Sequence, residues 1–272
     1  MLVVSPWTRG GWVNSQAFDH TSLIRFLERR FGIAEPNITP WRRAVAGDLT
    51  SAFDFTTPNR RPVDLPETAQ FKPAELTRQP DEIPVPPADP ELPAQERGVR
   101  PARALPYTLH ADATADTIEL HNIGKSTAVF GVRPSGADPR SFTVEPGKHL
   151  ISGFTSDDVE VHGPNGFYRR FRRGDVKLVV RARYDERRDT VLLEIRNNGR
   201  SHAQVTVADR YTRHAATLSL RPGTTRTSQI DASRTHGWYD VTVTSGSTVT
   251  QYAGHLENGT DSITDPGMGG LI

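Results

Sequence analysis

The sequence predicts a mainly β protein in which two tandem antiparallel β-sandwich domains follow a proline-rich linker and a short α/β segment. The first observation is alternation of apolar and polar residues in the C-terminal part, broken by Asn-Gly and Pro-Gly turns about every ten residues. The second is that this pattern occurs twice. The third is composition: only 35% of the 272 residues are hydrophobic, with 22 glycines and 21 prolines, which suits small β domains.

The same composition excludes several classes of function. The formal net charge of +1 gives no general attraction to nucleic acid, so we expect no nucleic-acid partner. The absence of cysteine excludes disulfides, thiolate nucleophiles and cysteine-ligated zinc. No apolar run reaches the roughly 18 residues of a transmembrane segment. The N-terminus lacks a basic region followed by an apolar stretch, so we expect no signal peptide in this chain.

Residues 1–55 have the pattern of one strand–loop–helix unit, the C-terminal remnant of an α/β domain. The short apolar run Leu2-Val3-Val4 predicts a strand buried in a parallel sheet. Gly10 and Gly11 permit a tight loop after it. Because one strand cannot form a parallel sheet, we expect its neighbours to precede Met1 in a longer protein.

A helix is predicted to follow this loop. Thr21 or Ser22 can cap its N-terminus, and Gly32 is expected to end it. Spacings of three and four residues place four apolar side chains on one face: Leu23, Ile24, Leu27 and Phe31. The helix is therefore expected to be amphipathic.

Residues 56–104 form the predicted linker. Twelve of the 21 prolines lie between Pro58 and Pro106. Each proline removes a backbone donor and favours extended backbone in the residue before it, so neither helix nor sheet is expected here. The segment is either a passive spacer or a strap along another surface.

The C-terminal part divides into two repeats, residues 105–176 and 177–265, followed by a tail of residues 266–272. Three landmarks recur in the same order: 117–124 with 191–199, 142–147 with 218–223, and 158–163 with 239–244. Each repeat has the length of a compact sandwich domain. The duplication therefore predicts two similar antiparallel domains.

Asp19 and His20 are the candidate catalytic residues. An adjacent aspartate and histidine near the end of a strand can provide a general acid and its orienting carboxylate, or two metal ligands. The structural alternative is that Asp19 caps the helix and His20 is an ordinary buried histidine. The sequence shows no complete set of metal ligands in this chain.

Three tryptophans flank the same unit: Trp7, Trp12 and Trp41. Clustered indole rings can bind a quaternary ammonium through cation–π attraction, and Trp7 and Trp12 are the candidate substrate-binding residues. The alternative is that they pack at the rim of a sheet.

Residues 167–173 interleave aromatic residues with four arginines. The segment can lie on an anionic lipid surface, where basic residues are attracted. It can also form a strand with Phe167, Arg169 and Phe171 on one face, protected as a sheet edge by its charges. The alternation favours the edge strand.

Four segments carry a specific family resemblance: SPWTRGGWVNS at 5–15, FDHTS at 18–22, PWRR at 40–43 and GDLTSAFDF at 47–55. They resemble the last stretch of the catalytic domain in bacterial phosphocholine-specific phospholipases C. These enzymes are phosphoesterase and acid phosphatase relatives within the alkaline phosphatase superfamily. The tandem β repeat resembles the paired C-terminal domains of the same enzymes.

The resemblance implies hydrolysis of phosphatidylcholine or sphingomyelin, with those headgroups as substrates and phosphocholine as product. It implies metal-assisted attack by a serine or threonine hydroxyl. The family's nucleophile and the Glu-Asn pair that helps to hold its divalent metal lie in its N-terminal half, to which no position here corresponds. We therefore expect no cofactor in this chain, and a catalytic N-terminal region as its partner.

Two functions follow from these observations. The first is the C-terminal part of a secreted or extracytoplasmic phospholipase C that is inactive alone. The second is a free-standing, non-catalytic tandem β-sandwich module that binds a lipid surface or a protein partner.

Overall fold

The computed structural model describes residues 1–62, 64–70, 85–91, 96–114 and 116–272. Much of the predicted linker, residues 71–84 and 92–95, lies outside these ranges. The described residues form two short α-helices and sixteen strands, nearly all of them paired in antiparallel sheets. The mainly β class is confirmed.

Helix α1 spans His20–Phe31 and helix α2 spans Pro40–Val45. The N-cap of α1 is Asp19, not Thr21 or Ser22 as predicted, because the extended Asp19 backbone lets its carboxylate accept from the Thr21 N–H at 2.8 Å. Ser22 completes a capping box by accepting from the Asp19 N–H. Gly32 ends the helix in the left-handed region, with φ 69°, as predicted.

The predicted strand at Leu2–Val4 is wrong. These residues form no strand, and the side chains of Leu2 and Val4 are 87% and 86% exposed. A strand needs a neighbour to satisfy its backbone groups, and no described strand pairs with this segment. The apolar face of α1 is present but exposed to solvent, with Leu23 at 55% and Phe31 at 65%.

The strands follow the duplication seen in the sequence. Strand β1 is Pro101–Ala102. The first repeat contributes β2 (Leu109–Ala113), β3 (Thr117–Asn122), β4 (Ala128–Pro134), β5 (Arg140–Val144), β6 (Lys148–Gly153), β7 (Asp158–His162) and β8 (Tyr168–Arg172). The second contributes β9 (Leu178–Asp185), β10 (Thr190–Asn197), β11 (Ala203–Asp209), β12 (His214–Leu220), β13 (Thr225–Asp231), β14 (Trp238–Ser245) and β15 (Thr248–His255). The last strand is β16 (Ser262–Ile263).

Each repeat packs a three-stranded sheet on a four-stranded sheet. The three-stranded sheets have the orders β2-β3-β6 and β13-β10-β9. The two four-stranded sheets join edge to edge, through antiparallel pairing of β8 with β15, into one eight-stranded sheet of order β12-β11-β14-β15-β8-β7-β4-β5. The chain therefore has one continuous hydrophobic core to which both repeats contribute, with Phe130, Leu193 and Val205 fully buried.

The prediction that residues 167–173 form an edge strand is wrong. Strand β8 pairs with β7 on one side and β15 on the other, so it lies at the centre of the eight-stranded sheet. The predicted alternation holds, and the face that carries Phe167, Arg169 and Phe171 is buried. Pairing on both sides satisfies the backbone groups that an edge would expose.

The described end of the linker forms a strap. Strand β1 pairs with β16, and Val13 on its other side makes a parallel bridge with Ala102. Backbone hydrogen bonds of 2.9 Å run from the Val13 N–H to the Pro101 carbonyl and from the Arg103 N–H to the Val13 carbonyl. These residues thus connect the N-terminal segment to the C-terminal tail. Neither helix in the described ranges is long and apolar enough to cross a membrane.

Candidate functional site

The candidate site residues lie in a segment that is hydrogen-bonded to the first repeat and to the strap. The Ala17 N–H donates to the Tyr107 hydroxyl at 3.0 Å. Trp41 Nε1 of α2 donates to Thr143 Oγ1 of β5 at 3.0 Å. The start of α1 therefore has a defined position relative to the β-sandwich.

Asp19 has two structural partners. Its Oδ1 accepts from the backbone and hydroxyl of Thr21, at 2.8 and 2.6 Å, and its Oδ2 pairs with Arg42 at 2.7 Å. The hydrogen bonds from Thr21, together with Arg42, lower the pKa of Asp19 although partial burial opposes them. Asp19 is thus an ionised helix cap that fixes where α1 begins.

His20 is the first residue of α1, and its side chain is exposed. The structural alternative of an ordinary buried histidine is therefore wrong for this residue. Because the preceding cap fixes the helix start, the backbone of His20 has a defined position while its imidazole faces solvent. This arrangement leaves the ring accessible to a substrate or to another part of a longer protein.

Trp7 and Trp12 lie in the same segment but have different neighbours. The guanidinium carbon of Arg103 lies 4.0 Å from the centre of the Trp12 ring, so an internal cation already covers one face of this indole. Trp7 packs at a tilt on Phe55, with ring centres 6.3 Å apart. Phe55 in turn stacks on Phe53, with ring centres 5.2 Å apart, so Trp7, Phe55 and Phe53 form an aromatic row.

A polar cluster that the sequence did not reveal supports this segment. Asn14 Nδ2 donates to Ser51 Oγ at 3.0 Å, and the Ser51 hydroxyl donates to Gln16 Oε1 at 2.5 Å. These bonds join residues 35 and 37 positions apart, so no local spacing could have indicated them. They tie the loop before α1 to the 3-10 helix Thr50–Ala52.

The donor set of the candidate site does not fit a metal ion. Across the described ranges, no three or more His, Asp or Glu side chains are arranged to hold an ion. The carboxylate of Asp19, a candidate ligand, already accepts a hydrogen bond from Thr21 and forms an ion pair with Arg42. These residues do not form a resident metal site.

Two family models match the chain. The bacterial phospholipase C C-terminal domain matches residues 101–174 and again 178–255, one match for each set of seven strands. The phosphoesterase family matches residues 1–34, which contain all four candidate site residues.

Curated relatives match over nearly the whole chain. The non-hemolytic phospholipase C of Pseudomonas aeruginosa is 42% identical over 298 residues, covering 99% of this chain and 43% of the relative. The non-hemolytic phospholipase C of Burkholderia pseudomallei is 39% identical, covering 98% and 42%. The hemolytic phospholipase C of P. aeruginosa is 38% identical, covering 98% and 44%. The chain spans less than half the length of these relatives.

The tandem matches cover more than half of the chain and follow its two structural repeats. The chain belongs to the bacterial phospholipase C C-terminal domain family.

Proposed function

We propose that the chain acts as the C-terminal part of a phospholipase C that hydrolyses a choline phospholipid. The observation that carries this proposal is the joint match of one chain to two families, phosphoesterase at residues 1–34 and the phospholipase C C-terminal domain at 101–255. The tandem sandwich then serves to hold the last segment of the catalytic domain in place. This role requires a rigid connection between the two parts.

The contacts of the N-terminal segment support such a connection. Residues 13–17 are hydrogen-bonded to the strap and to Tyr107, and α2 is hydrogen-bonded to β5. The exposed apolar face of α1 is suited to packing against the remainder of a catalytic domain, since burial of each such side chain contributes about 1.5–3 kcal/mol.

We propose His20 as a general acid or base of this enzyme and Asp19 as its neighbour that fixes the start of α1. We propose Trp7 and Trp12 as contacts of the quaternary ammonium of choline. The solvent-facing imidazole of His20 supports the first role, and the aromatic row at Trp7 supports the second. Any divalent metal would be held mainly by residues other than those described here, and we place the enzyme outside the cytoplasm by family resemblance.

A chimera tests the proposal. This chain would replace the matching 43% of the P. aeruginosa non-hemolytic phospholipase C. The chimera should hydrolyse phosphatidylcholine and sphingomyelin, whereas the 272-residue chain alone should not. In the chimera, His20→Ala should lower kcat by about 10²-fold or more, because it removes a proton-transfer group. The matched control is His214→Ala, at an exposed histidine of β12.

Three results would contradict the proposal or one of its parts. Turnover that follows the chain alone through purification would show that it needs no partner region. A folded chimera without activity would favour the non-catalytic module. Unchanged kcat with a lowered Tm in His20→Ala would assign His20 a structural role only.

A further inference from the structure

A cavity of about 690 Å³ lies between the second repeat and the C-terminal tail. Its walls are the turn between β11 and β12, the start of β14, part of β15 and residues 264–272, and the strap borders it at Ala102. Ser15 of the N-terminal segment and Asn165 and Gly166 of the turn between β7 and β8 also line it. This volume is in the range typical of small-molecule sites. The candidate catalytic residues are not among those that line it.

The C-terminal residues 263–272, which line one side of this cavity, are hydrogen-bonded to the second repeat and to the strap. The Tyr211 hydroxyl donates to Asp265 Oδ1 at 2.7 Å, and Trp238 Nε1 donates to the Ile263 carbonyl at 2.9 Å. The Thr264 N–H donates to the Arg100 carbonyl of the strap at 2.9 Å. The cavity is therefore formed by the fold itself and requires no rearrangement of the tail.

The charged and aromatic side chains that line the cavity belong to the second repeat. Its turn between β11 and β12 carries Arg210, Tyr211 and Arg213, whereas the corresponding turn between β4 and β5 has Ser135 and Gly136 at its start. The shared fold of the two repeats does not require these charged and aromatic side chains. They are a local addition to one copy of the domain.

The lining combines aromatic rings with both signs of charge. Trp238 and Tyr211 provide the rings, Arg210 and Arg213 the positive charges, and two aspartates the negative charges, Asp240 and Asp265. The four formal charges sum to zero. A cavity of this kind has no preference for a simple anion or cation, but it can hold a molecule that carries both charges.

Part of this polar capacity is unused within the protein. Arg210 pairs with Asp240 at 3.3 Å through one nitrogen. Asp265 Oδ1 accepts from Tyr211 and from the Gly267 N–H, both at 2.7 Å, while its Oδ2 has no hydrogen bond among the residues that the structure describes. The side chain of Arg213 makes no hydrogen bond or ion pair with any residue that the structure describes. One positive and one negative group thus remain for a ligand.

We infer that this cavity binds a small zwitterion, in which an ammonium or quaternary ammonium group is joined by a short linker to a phosphate. The arginines of the β11–β12 turn bind the phosphate, since a guanidinium offers paired donors to its oxygens. The cation binds near Asp265 and the rings of Tyr211 and Trp238, where charge and cation–π attraction act together. The headgroup of a phospholipid and free phosphocholine share this chemistry, and the choice of choline as the cation rests on the proposed function.

Titration of the full 272-residue chain with phosphocholine tests this inference. Calorimetry gives the affinity, and tryptophan fluorescence reports on the environment of Trp238. Three control probes are used. Choline chloride supplies only the cation, inorganic phosphate supplies only the anion, and glucose carries neither charge. Phosphocholine should bind at least about tenfold more tightly than any of them, a difference of about 1.4 kcal/mol. Competition between phosphocholine and phosphatidylcholine vesicles shows whether the headgroup of an intact lipid also binds in the cavity.

Variants locate the site. Arg213→Gln and Asp265→Asn should each weaken phosphocholine binding by about tenfold or more. Arg200→Gln, at an exposed turn arginine outside the cavity, should leave it unchanged. Because Asp265 also accepts the hydrogen bond from the Tyr211 hydroxyl, Tyr211→Phe serves as a second variant that removes this hydrogen bond but keeps the carboxylate.

Three results would overturn the inference: no saturable binding, equal or tighter binding of choline, phosphate or glucose, or unchanged affinity in the folded Arg213→Gln variant. The assay requires no catalysis. A chimera that hydrolyses lipid while the chain does not bind phosphocholine would overturn this inference alone, and an inactive chimera with intact binding would overturn only the proposed function.

Discussion

Asn122 and Asn197 occupy the same position in the two repeats and make the same hydrogen bonds. Each is fully buried at the end of the second strand of its repeat. The amide of Asn122 donates to the carbonyls of Ser126 and Val144, both at 2.8 Å, and the amide of Asn197 donates to those of Ser201 and Leu220, at 2.8 and 3.0 Å. Each Oδ1 accepts from the N–H two residues later. The two residues thus join equivalent strands across each sandwich.

Replacement of either asparagine by alanine should destabilise the protein by about 1–3 kcal/mol, because one buried carbonyl, one part-buried carbonyl and one N–H would lose their partner. The effects of Asn122→Ala and Asn197→Ala should be similar. Chemical denaturation measures the free energy of unfolding. Asn198→Ala, at the exposed neighbour, is the control and should stay within about 0.5 kcal/mol of wild type. An unchanged free energy of unfolding in Asn122→Ala would contradict the equivalence of the two asparagines.

Arg169 lies where β8 and β15 join the two repeats, and its side chain is fully buried without a carboxylate partner at salt-bridge distance among the described residues. One nitrogen donates to the carbonyls of Tyr168 and Ala253, both at 2.6 Å, and another to the hydroxyls of Tyr239 and Tyr184. Burial raises the pKa of Tyr184 well above its ordinary value, so this hydroxyl is neutral. Carbonyls, hydroxyls and aromatic faces therefore compensate the buried charge.

Arg169→Met should destabilise the protein by about 3 kcal/mol or more, because the two carbonyls and the two hydroxyls lose the hydrogen bonds that the guanidinium donates. Arg172→Met, on the exposed face of the same strand, is the matched control and should change stability by about 0.5 kcal/mol. Denaturation curves of both variants check the prediction. Equal stability of Arg169→Met and wild type would mean that apolar packing can replace the network.

His110 makes stability depend on pH. Its ring stacks on Tyr184 with centres 4.3 Å apart, and burial, with contributions from Arg169 and His121, lowers its pKa from 6.5 to about 4. Between these values the unfolded chain binds a proton that the folded chain does not, so the free energy of unfolding falls as pH drops from 6.5 to 4. The loss from this group is at most about 3 kcal/mol.

His110→Phe keeps the stacking and removes the titration, so it should flatten the decline of stability between pH 6.5 and 4. Thermal melting at half-unit pH steps measures this slope. His214→Gln, at an exposed histidine, should retain the wild-type slope. A slope unchanged in His110→Phe would assign the acid sensitivity to other groups.

Trp12 should contribute to stability as well as to headgroup choice, because Arg103 covers one face of its ring and also pairs with Asp261 at 3.2 Å. Trp12→Ala should destabilise the chain by about 1–2 kcal/mol. In the chimera, Trp7→Ala and Trp12→Ala should each raise KM more for choline esters than for ethanolamine esters, because a quaternary ammonium depends more on an aromatic face. Equal effects of Trp12→Ala on both esters would show that this ring only packs against Arg103.

Local features of the structure could be predicted from the sequence. The glycine that ends α1, the alternation along β8 and the asparagine and Pro-Gly landmarks of the repeats all depend on the preferences of a few neighbouring residues. The alignment of the third landmark, 158–163 with 239–244, was wrong by one residue. In the structure, the buried Val159 and Val161 of β7 correspond to Val241 and Val243 of β14. A period of two residues fixes which residues share a face, but not how many residues a turn inserts.

The candidate site was only partly predictable. The dipeptide Asp19-His20 could be identified, but the pairing of Asp19 with Arg42 and the exposure of His20 depend on how α1 packs. The N-terminal strand was predicted wrongly because an apolar run is compatible with a buried strand only where a neighbouring strand is present.

By itself, the sequence determined that this protein is built from two similar β-sandwich repeats, because periodicity and turn residues act over a few positions. Only the tertiary structure decided that the repeats share one eight-stranded sheet, that Arg169 is buried at their junction and that the tail covers a cavity on the second repeat. These features arise from contacts between residues far apart in the chain. The free energy of such contacts depends on burial and on the polar partners that burial provides, and no local pattern of residues encodes either.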